Sequence, residues 1–228
     1  KYDTTPGNEI MFTATAGIEN GDKTKDKDTK TVYGDATTKP DTDGKKWIEI
    51  NWVNGDKIAI VSPEATGPDV AHYSVTGVSQ TEGTYEGAHK AASLTRHGDG
   101  GLQWTESDTY NFYAAYPSFE YDTDKTHGAT AKMTKDGVLS GSMPIEQTYK
   151  AVKSHTDAAG KAGFIVEPEM RYSFMTAKST YSRYKEDGKT PNDQAINLQF
   201  ESMVTALQFD ITANTINIPT ESVTSMEI

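Results

Sequence analysis

The chain has 228 residues, no cysteine and a formal net charge of −11 at pH 7, which excludes a disulfide framework and a thiolate metal site. An acidic surface repels phosphate backbones and anionic membrane surfaces, so no nucleic acid is expected as a partner. Apolar residues make up only 35% of the chain, and the abundance of Gly, Thr, Ser, Asp and Lys is typical of many short strands joined by polar loops.

The first predicted element is a short strand over residues 10–15. Ile10, Phe12 and Ala14 are spaced by two, which is the period of a strand with one apolar face. Residues 19–31 then contain no apolar side chain and carry balanced charge, a composition that predicts a solvated loop. Exposed loops of this kind are preferred sites of proteolytic cleavage.

A hairpin is predicted around Trp52. Residues 47–52 alternate between opposite faces as a strand does. Asn54 and Gly55 tolerate the positive φ angles of a tight turn, and residues 58–61 are predicted to be the returning strand.

The strongest strand signal is the aromatic run over residues 110–116, which Pro117 terminates. Alternate side chains of a strand face opposite ways, so Phe112 and Tyr113 cannot both face the core. One of these two rings is therefore expected to look away from it.

The last part of the chain is predicted to leave one domain and enter another. Residues 174–178 form a short strand, and residues 179–193 are polar and contain Gly and Pro, as linkers do. Alternation then resumes over residues 196–200. These patterns predict an N-terminal domain over residues 1–190 and the first strands of a second β domain over residues 191–228. Because no amphipathic helical stretch exceeds about two turns, the predicted class is all-β.

The sequence contains no motif for catalysis or metal binding that stands out. Its five histidines lack metal-ligand spacing, and no nucleophile elbow, Walker loop or dinucleotide fingerprint is present. Residues 41–44 and 122–124 resemble fragments of calcium loops but lack the bidentate acid that closes such a loop. We therefore predict no catalytic residue, no metal site and no cofactor.

Several short segments are informative through their order. In chain order they are residues 10–14, Lys30 and Thr31, residues 52–58, residues 112–117, residues 147–149, residues 175–177 and residues 196–211. This order resembles that of the fimbrillins, the pilin family of Bacteroides-type bacteria, over most of the chain. The resemblance implies a transthyretin-like β-sandwich as the N-terminal domain, followed by the start of a second β-sandwich domain.

The resemblance also implies a non-enzymatic function. Such pilins are exported as outer-membrane lipoprotein precursors, anchored through a cysteine that would lie upstream of Lys1, and they act as structural subunits or adhesins of cell-surface fimbriae. The implied partners are other fimbrial subunits of the same or another kind, a processing protease, and a surface receptor on host or bacterial cells.

Processing is the implied event that starts assembly. A trypsin-like protease would cut at the Lys30–Thr31 bond, although the family often has Arg at this position. Ile10, Phe12 and Ala14 would plug a groove until their strand is removed and a strand of the next subunit takes its place. This mode of association is β-augmentation, in which a sheet edge pairs with an incoming strand.

Two other functions stay open. Twelve tyrosines and three tryptophans could provide exposed rings that stack on sugars, as in a surface β-sandwich lipoprotein that binds glycans. The second is an enzyme, because the paired carboxylates of glycosidases are distant in sequence and leave no local motif.

Overall fold

The computed structural model describes residues 8–16, 52–78, 91–98, 100–121, 125–156, 160, 162–185, 187–192 and 194–204. Over these ranges the chain is almost entirely β, which confirms the all-β class. The strands are β1 (Phe12–Ala16), β2 (Lys57–Val61), β3 (Ala71–Thr76), β4 (Ala91–His97), β5 (Thr109–Tyr116), β6 (Thr130–Met133), β7 (Leu139–Ser142), β8 (Tyr149–Thr156), β9 (Ala162–Pro168), β10 (Met175–Ser182) and β11 (Ile196–Ser202). Two single-turn 3₁₀ helices span Phe119–Tyr121 and Met170–Tyr172. Within the same ranges no helix has the length and apolarity needed to cross a membrane.

Seven of the strands close into one barrel-like sheet. Their order around it is β1, β11, β10, β5, β2, β3 and β4, and β4 pairs back with β1. The β1–β11 pair is parallel, whereas the other pairs of this sheet are antiparallel. Closure leaves each of these strands with one face toward the interior and one face toward the outside.

The barrel interior is filled by large side chains that contact one another edge to face. The Phe12 ring lies 5.2 Å from the ring of Tyr73 and 5.2 Å from that of Phe112, measured between centroids. Burial removes these rings from water, and edge-to-face pairs add about 0.5–1.5 kcal/mol each beyond that burial. The buried Tyr73 hydroxyl accepts a hydrogen bond from the Leu102 N–H at 2.8 Å, which satisfies its polar tip.

Several predicted strands coincide with observed ones. The strands predicted over residues 10–15, 58–61, 110–116 and 174–178 correspond to β1, β2, β5 and β10. The alternation argument for β5 also holds, because Phe112 is fully buried in the core and Tyr113 lies on the outer face of the strand.

The predicted turn at Asn54 and Gly55 is present, with a φ of +93° at Gly55. The Asn54 amide donates to the Val78 carbonyl at 2.7 Å and accepts from the Val78 N–H at 2.9 Å, which ties the turn to the barrel. Strand β2, after this turn, pairs with β3 on one edge and with β5 on the other. Residues 47–51, the predicted first strand of the hairpin, lie outside the described residues.

Strand β10 is longer than predicted. It continues to Ser182 and pairs with β5 along its whole length, from Met175 opposite Tyr116 to Ser182 opposite Thr109. The predicted linker over residues 179–193 therefore begins as strand. Its polar composition reflects side chains on the outer face of a half-buried strand, and such a face looks like a loop when composition alone is considered.

Strand β11 belongs to the barrel. It pairs with β1 on one edge and with β10 on the other, and Phe200 lies edge to face with Trp52 at 5.2 Å. The division at residue 190 assigns β11 to a second domain, whereas this pairing includes it in the first sheet. Residues 205–228 lie outside the described residues, so a second domain there stays a prediction.

Strands β6 and β7 form a hairpin against the outside of the barrel. Met133 of β6 lies with Val61 and Ala115 in a small buried cluster. Gly137, in the turn of the hairpin, has a φ of +80° and lies so close to Tyr113 that a Cβ there would overlap its ring. Glycine is required because it combines positive φ with such a close approach. Strands β8 and β9 form a second two-stranded sheet.

Candidate functional sites

The first candidate site is the position that β1 occupies between β11 and β4, which we call the seat of β1. The predicted removable strand lies there. Ile10, Phe12 and Ala14 are each 1% exposed and all point into the barrel core. Thr13 and Thr15 face outward, and their hydroxyls donate to the Asn197 side chain at 3.3 and 3.2 Å. The first strand is thus fully integrated into the closed sheet.

The two edges of β1 are held unequally. Toward β11, five consecutive residue pairs run in register from Phe12 opposite Ile196 to Ala16 opposite Phe200. Toward β4, only two pairs form, and the register shifts between Phe12 and Ala14. The chain just before β1 is anchored by a hydrogen bond of 2.9 Å from the Ile10 N–H to the Leu102 carbonyl. Lys30 and Thr31, the predicted cleavage site, lie outside the described residues.

The second candidate site is an open groove of about 390 Å³ on the outside of the barrel. One wall is the β6–β7 hairpin, and the other is formed by residues of β5, β10 and β11. Lys178 lies directly opposite Tyr113 in the β10–β5 pair, and its ammonium group is 5.3 Å from the centroid of that ring. Thr176 lies opposite Glu201 in the β10–β11 pair.

A third cluster joins three side chains that the sequence does not bring together. His72 Nδ1 lies 2.8 Å from the Ser118 hydroxyl, and His72 Nε2 lies 2.5 Å from a Glu120 carboxylate oxygen. This is the order of groups in a serine–histidine–acid nucleophile system. The Ser118 N–H, however, donates to the Lys57 carbonyl at 2.9 Å, so it is not available to stabilise an oxyanion, and Ser118 itself is buried. The cluster is better explained as a structural link between β3 and the segment after β5.

Burial lowers the pKa of His72, and the nearby charge of His97 acts in the same direction, while Glu120 opposes the shift. The folded protein therefore takes up this proton at lower pH than the unfolded chain does. Below about pH 6.5, the ordinary pKa of histidine, the unfolded chain binds more protons than the folded protein does. This proton uptake stabilises the unfolded chain relative to the folded protein. We expect the free energy of unfolding to fall as the pH is lowered through this range.

Urea unfolding at a series of pH values around 5–8 would measure this slope. The His72→Gln variant should lose it, whereas His97→Gln should keep it, because His97 is the smallest of the contributions to the shift. An unchanged slope in His72→Gln would show that another group is responsible.

Glu64 and Glu169 affect the pH dependence of stability at lower pH, because the pKa of each is lowered. Burial raises the pKa of Glu64, but hydrogen bonds from Asn111 and Ser62 outweigh it, and the pKa of Glu169 is lowered chiefly by Arg171.

Across the part of the chain that the structure describes, no group of three or more His, Asp or Glu side chains could hold a metal ion. The two calcium-loop fragments, residues 41–44 and 122–124, fall outside that part. Comparison of the chain with family models, curated proteins and solved structures found no match.

Proposed function

We propose that this chain is a structural subunit or adhesin of bacterial surface fimbriae, and that it assembles by donor-strand β-augmentation after its first strand is removed by proteolysis. The observation that supports this most directly is the way β1 fills its seat between β11 and β4. A strand at the start of the described chain closes the barrel, yet the residues that follow it are a long polar segment suited to cleavage.

Removal of β1 would leave a groove with the chemistry of an acceptor site. The edges of β11 and β4 would present unpaired N–H and C=O groups, which are the template for an incoming strand. The space left by Phe12 would be lined by the rings of Tyr73 and Phe112. A donor strand with alternate apolar side chains would therefore gain both backbone hydrogen bonds and apolar burial.

The pairing of β1 also gives a reason for exchange to be favourable. Its longer, regular pair with β11 is parallel, whereas its antiparallel pair with β4 is short and irregular. Antiparallel pairing is slightly more stable per residue than parallel pairing. A donor strand of opposite direction would make the longer pair with β11 antiparallel and the short, irregular pair with β4 parallel. Because the β11 edge has more residue pairs, we expect the donor to run antiparallel to β11.

We include a transthyretin-like β-sandwich fold in the same proposal. A barrel-like sheet of seven strands with an aromatic core is compatible with two facing sheets of a transthyretin-like β-sandwich. The proposed localisation is the cell surface, with an outer-membrane lipoprotein as precursor. The proposed partners are other fimbrial subunits, a trypsin-like protease that cuts after Lys30, and a surface receptor.

Mild trypsin treatment of the intact chain tests this function. Mass spectrometry should locate cleavage near Lys30, and size-exclusion chromatography should then show release of the fragment that carries β1. A labelled peptide of residues 8–16 should bind the processed protein saturably and should not bind the uncut protein. The matched control is the same peptide with Phe12→Asp, which places a charge in the apolar seat and should not bind.

Electron microscopy of the processed protein is the second measurement. Polymers, or capture of the peptide, would support donor-strand assembly. If cleavage occurs but β1 is retained, no peptide binds and no polymers form, then β1 is a permanent strand of the barrel and the proposal fails.

A further inference from the structure

The groove between the β6–β7 hairpin and the barrel has two chemically different walls. Met133 and Leu139 contribute apolar surface from the hairpin, and Tyr113 of β5 adds its ring where the hairpin packs on the barrel. On the other side, β10 contributes the hydroxyl of Thr176 and the ammonium of Lys178. Strand β11 contributes the amide of Gln199 and the carboxylate of Glu201. The side chains of Lys178, Gln199 and Glu201 are exposed, so their polar groups are accessible to a ligand.

We propose that this groove binds an uncharged mono- or disaccharide. A sugar ring has an apolar face of C–H groups and a rim of hydroxyls, which matches one apolar wall and one polar wall. The C–H groups carry a small positive charge and are attracted to the electron-rich face of an aromatic ring through its quadrupole. The volume of about 390 Å³ lies at the low end of the range of roughly 300–1,000 Å³ typical of ligand sites, which suits one or two sugar units.

The hydrogen-bonding groups of the polar wall favour a ligand that both donates and accepts. The Lys178 ammonium only donates, the Glu201 carboxylate only accepts, and the Gln199 amide does both. Each sugar hydroxyl is itself a donor and an acceptor, so hydroxyls can satisfy all three. Because Lys178 and Glu201 carry opposite charges, the wall has no net charge to attract an acidic or a basic ligand.

The groove is held in shape by contacts already present in the barrel. The strands that carry the polar residues are paired in register, with Lys178 opposite Tyr113 and Thr176 opposite Glu201. The hairpin wall is held where Gly137 meets the Tyr113 ring. A site built on paired strands needs little reordering when a ligand binds, which reduces the entropic cost of binding. This inference does not depend on the assembly proposal.

Ligand-observed NMR and calorimetry with a panel of free sugars test the inference. The panel consists of glucose, galactose, mannose, fucose and N-acetylglucosamine with the disaccharides lactose, maltose and cellobiose, each up to about 10 mM, which would saturate a site with a Kd of about 1 mM. At least one member is expected to bind saturably. N-acetylneuraminic acid and free tyrosine serve as acidic and amino-acid probes, and both are expected to bind more weakly.

Substitutions on the polar wall locate the site. Lys178→Ala, Gln199→Ala and Glu201→Gln should each weaken sugar binding by about tenfold. The two alanines remove a hydrogen-bonding group from the wall, and Glu201→Gln removes the charge and replaces one of the two acceptor oxygens by a donor. The matched controls are Lys189→Ala and Glu106→Gln, at exposed positions that do not line the groove. They should leave the affinity unchanged, and circular dichroism checks that every variant is folded.

A glycine pair tests the hairpin wall. Gly137→Ala should displace the hairpin and weaken binding, whereas Gly160→Ala has a similar φ of +79° but no atom within 4 Å of the added Cβ. Gly160→Ala therefore carries the same backbone strain without the overlap and should bind as the wild type does. The inference is overturned if no sugar binds, if the polar-wall variants bind as tightly as the controls, or if free tyrosine binds at this site in place of sugars.

Discussion

Replacing Phe12 by alanine is expected to lower the free energy of unfolding by about 3–5 kcal/mol, the range found for deleting a large buried aromatic side chain. The ring is 1% exposed and meets the rings of Tyr73 and Phe112 edge to face. Alanine would lose both the burial and these contacts, and it would leave a cavity in a closed barrel that can collapse only partly.

The matched control for this substitution is Met11→Ala, one residue earlier. Met11 is 56% exposed, so its removal should change the stability by no more than about 0.5 kcal/mol. Urea unfolding followed by tryptophan fluorescence would compare the two variants. Equal stabilities would mean that β1 does not occupy the core in solution, in which case its seat is already open before any cleavage.

The second large effect is expected for Phe200→Ala on β11. Phe200 is fully buried and meets the Trp52 ring edge to face at 5.2 Å. Its loss should likewise cost about 3–5 kcal/mol. The cost should appear in the main unfolding transition, because β11 pairs with both β1 and β10 in the closed sheet.

Gln199→Ala is the control for Phe200→Ala, since Gln199 is the preceding residue of the same strand and faces outward. It should unfold at nearly the wild-type urea concentration. This comparison also tests the domain division. If Phe200→Ala leaves the main transition unchanged, residues 196–202 form part of an independent unit, as the division at residue 190 predicts.

The strands with regular alternation were predictable. Residues 10–15, 110–116 and 196–200 each show apolar side chains at every second position, and each is an observed strand with that apolar face inward. Strand β4 was not predictable in the same way, because Leu94 is the only large aliphatic side chain among its seven residues. Its identity as a strand depends on pairing with β3 and β1, which fix it between them.

The candidate sites were predictable to different degrees. The inward set of Ile10, Phe12 and Ala14 follows from alternation, but their proposed release depends on Lys30, which lies outside the described residues. The groove left no local signal. Tyr113, Lys178 and Glu201 come from three strands, and only the register of those strands places them on one face.

Local sequence pattern indicates which segments can form strands and which side chains of each strand are apolar, because these properties depend on neighbours along the chain. For the same reason, the alternation along β5 is enough to show that one of Phe112 and Tyr113 faces outward. The pairing of β1 with β11 is visible only in the folded structure, where Thr13 contacts Asn197 across 184 residues of sequence. Such pairing depends on closing a long loop and on competition among many strands of similar composition, and neither is encoded in a local pattern.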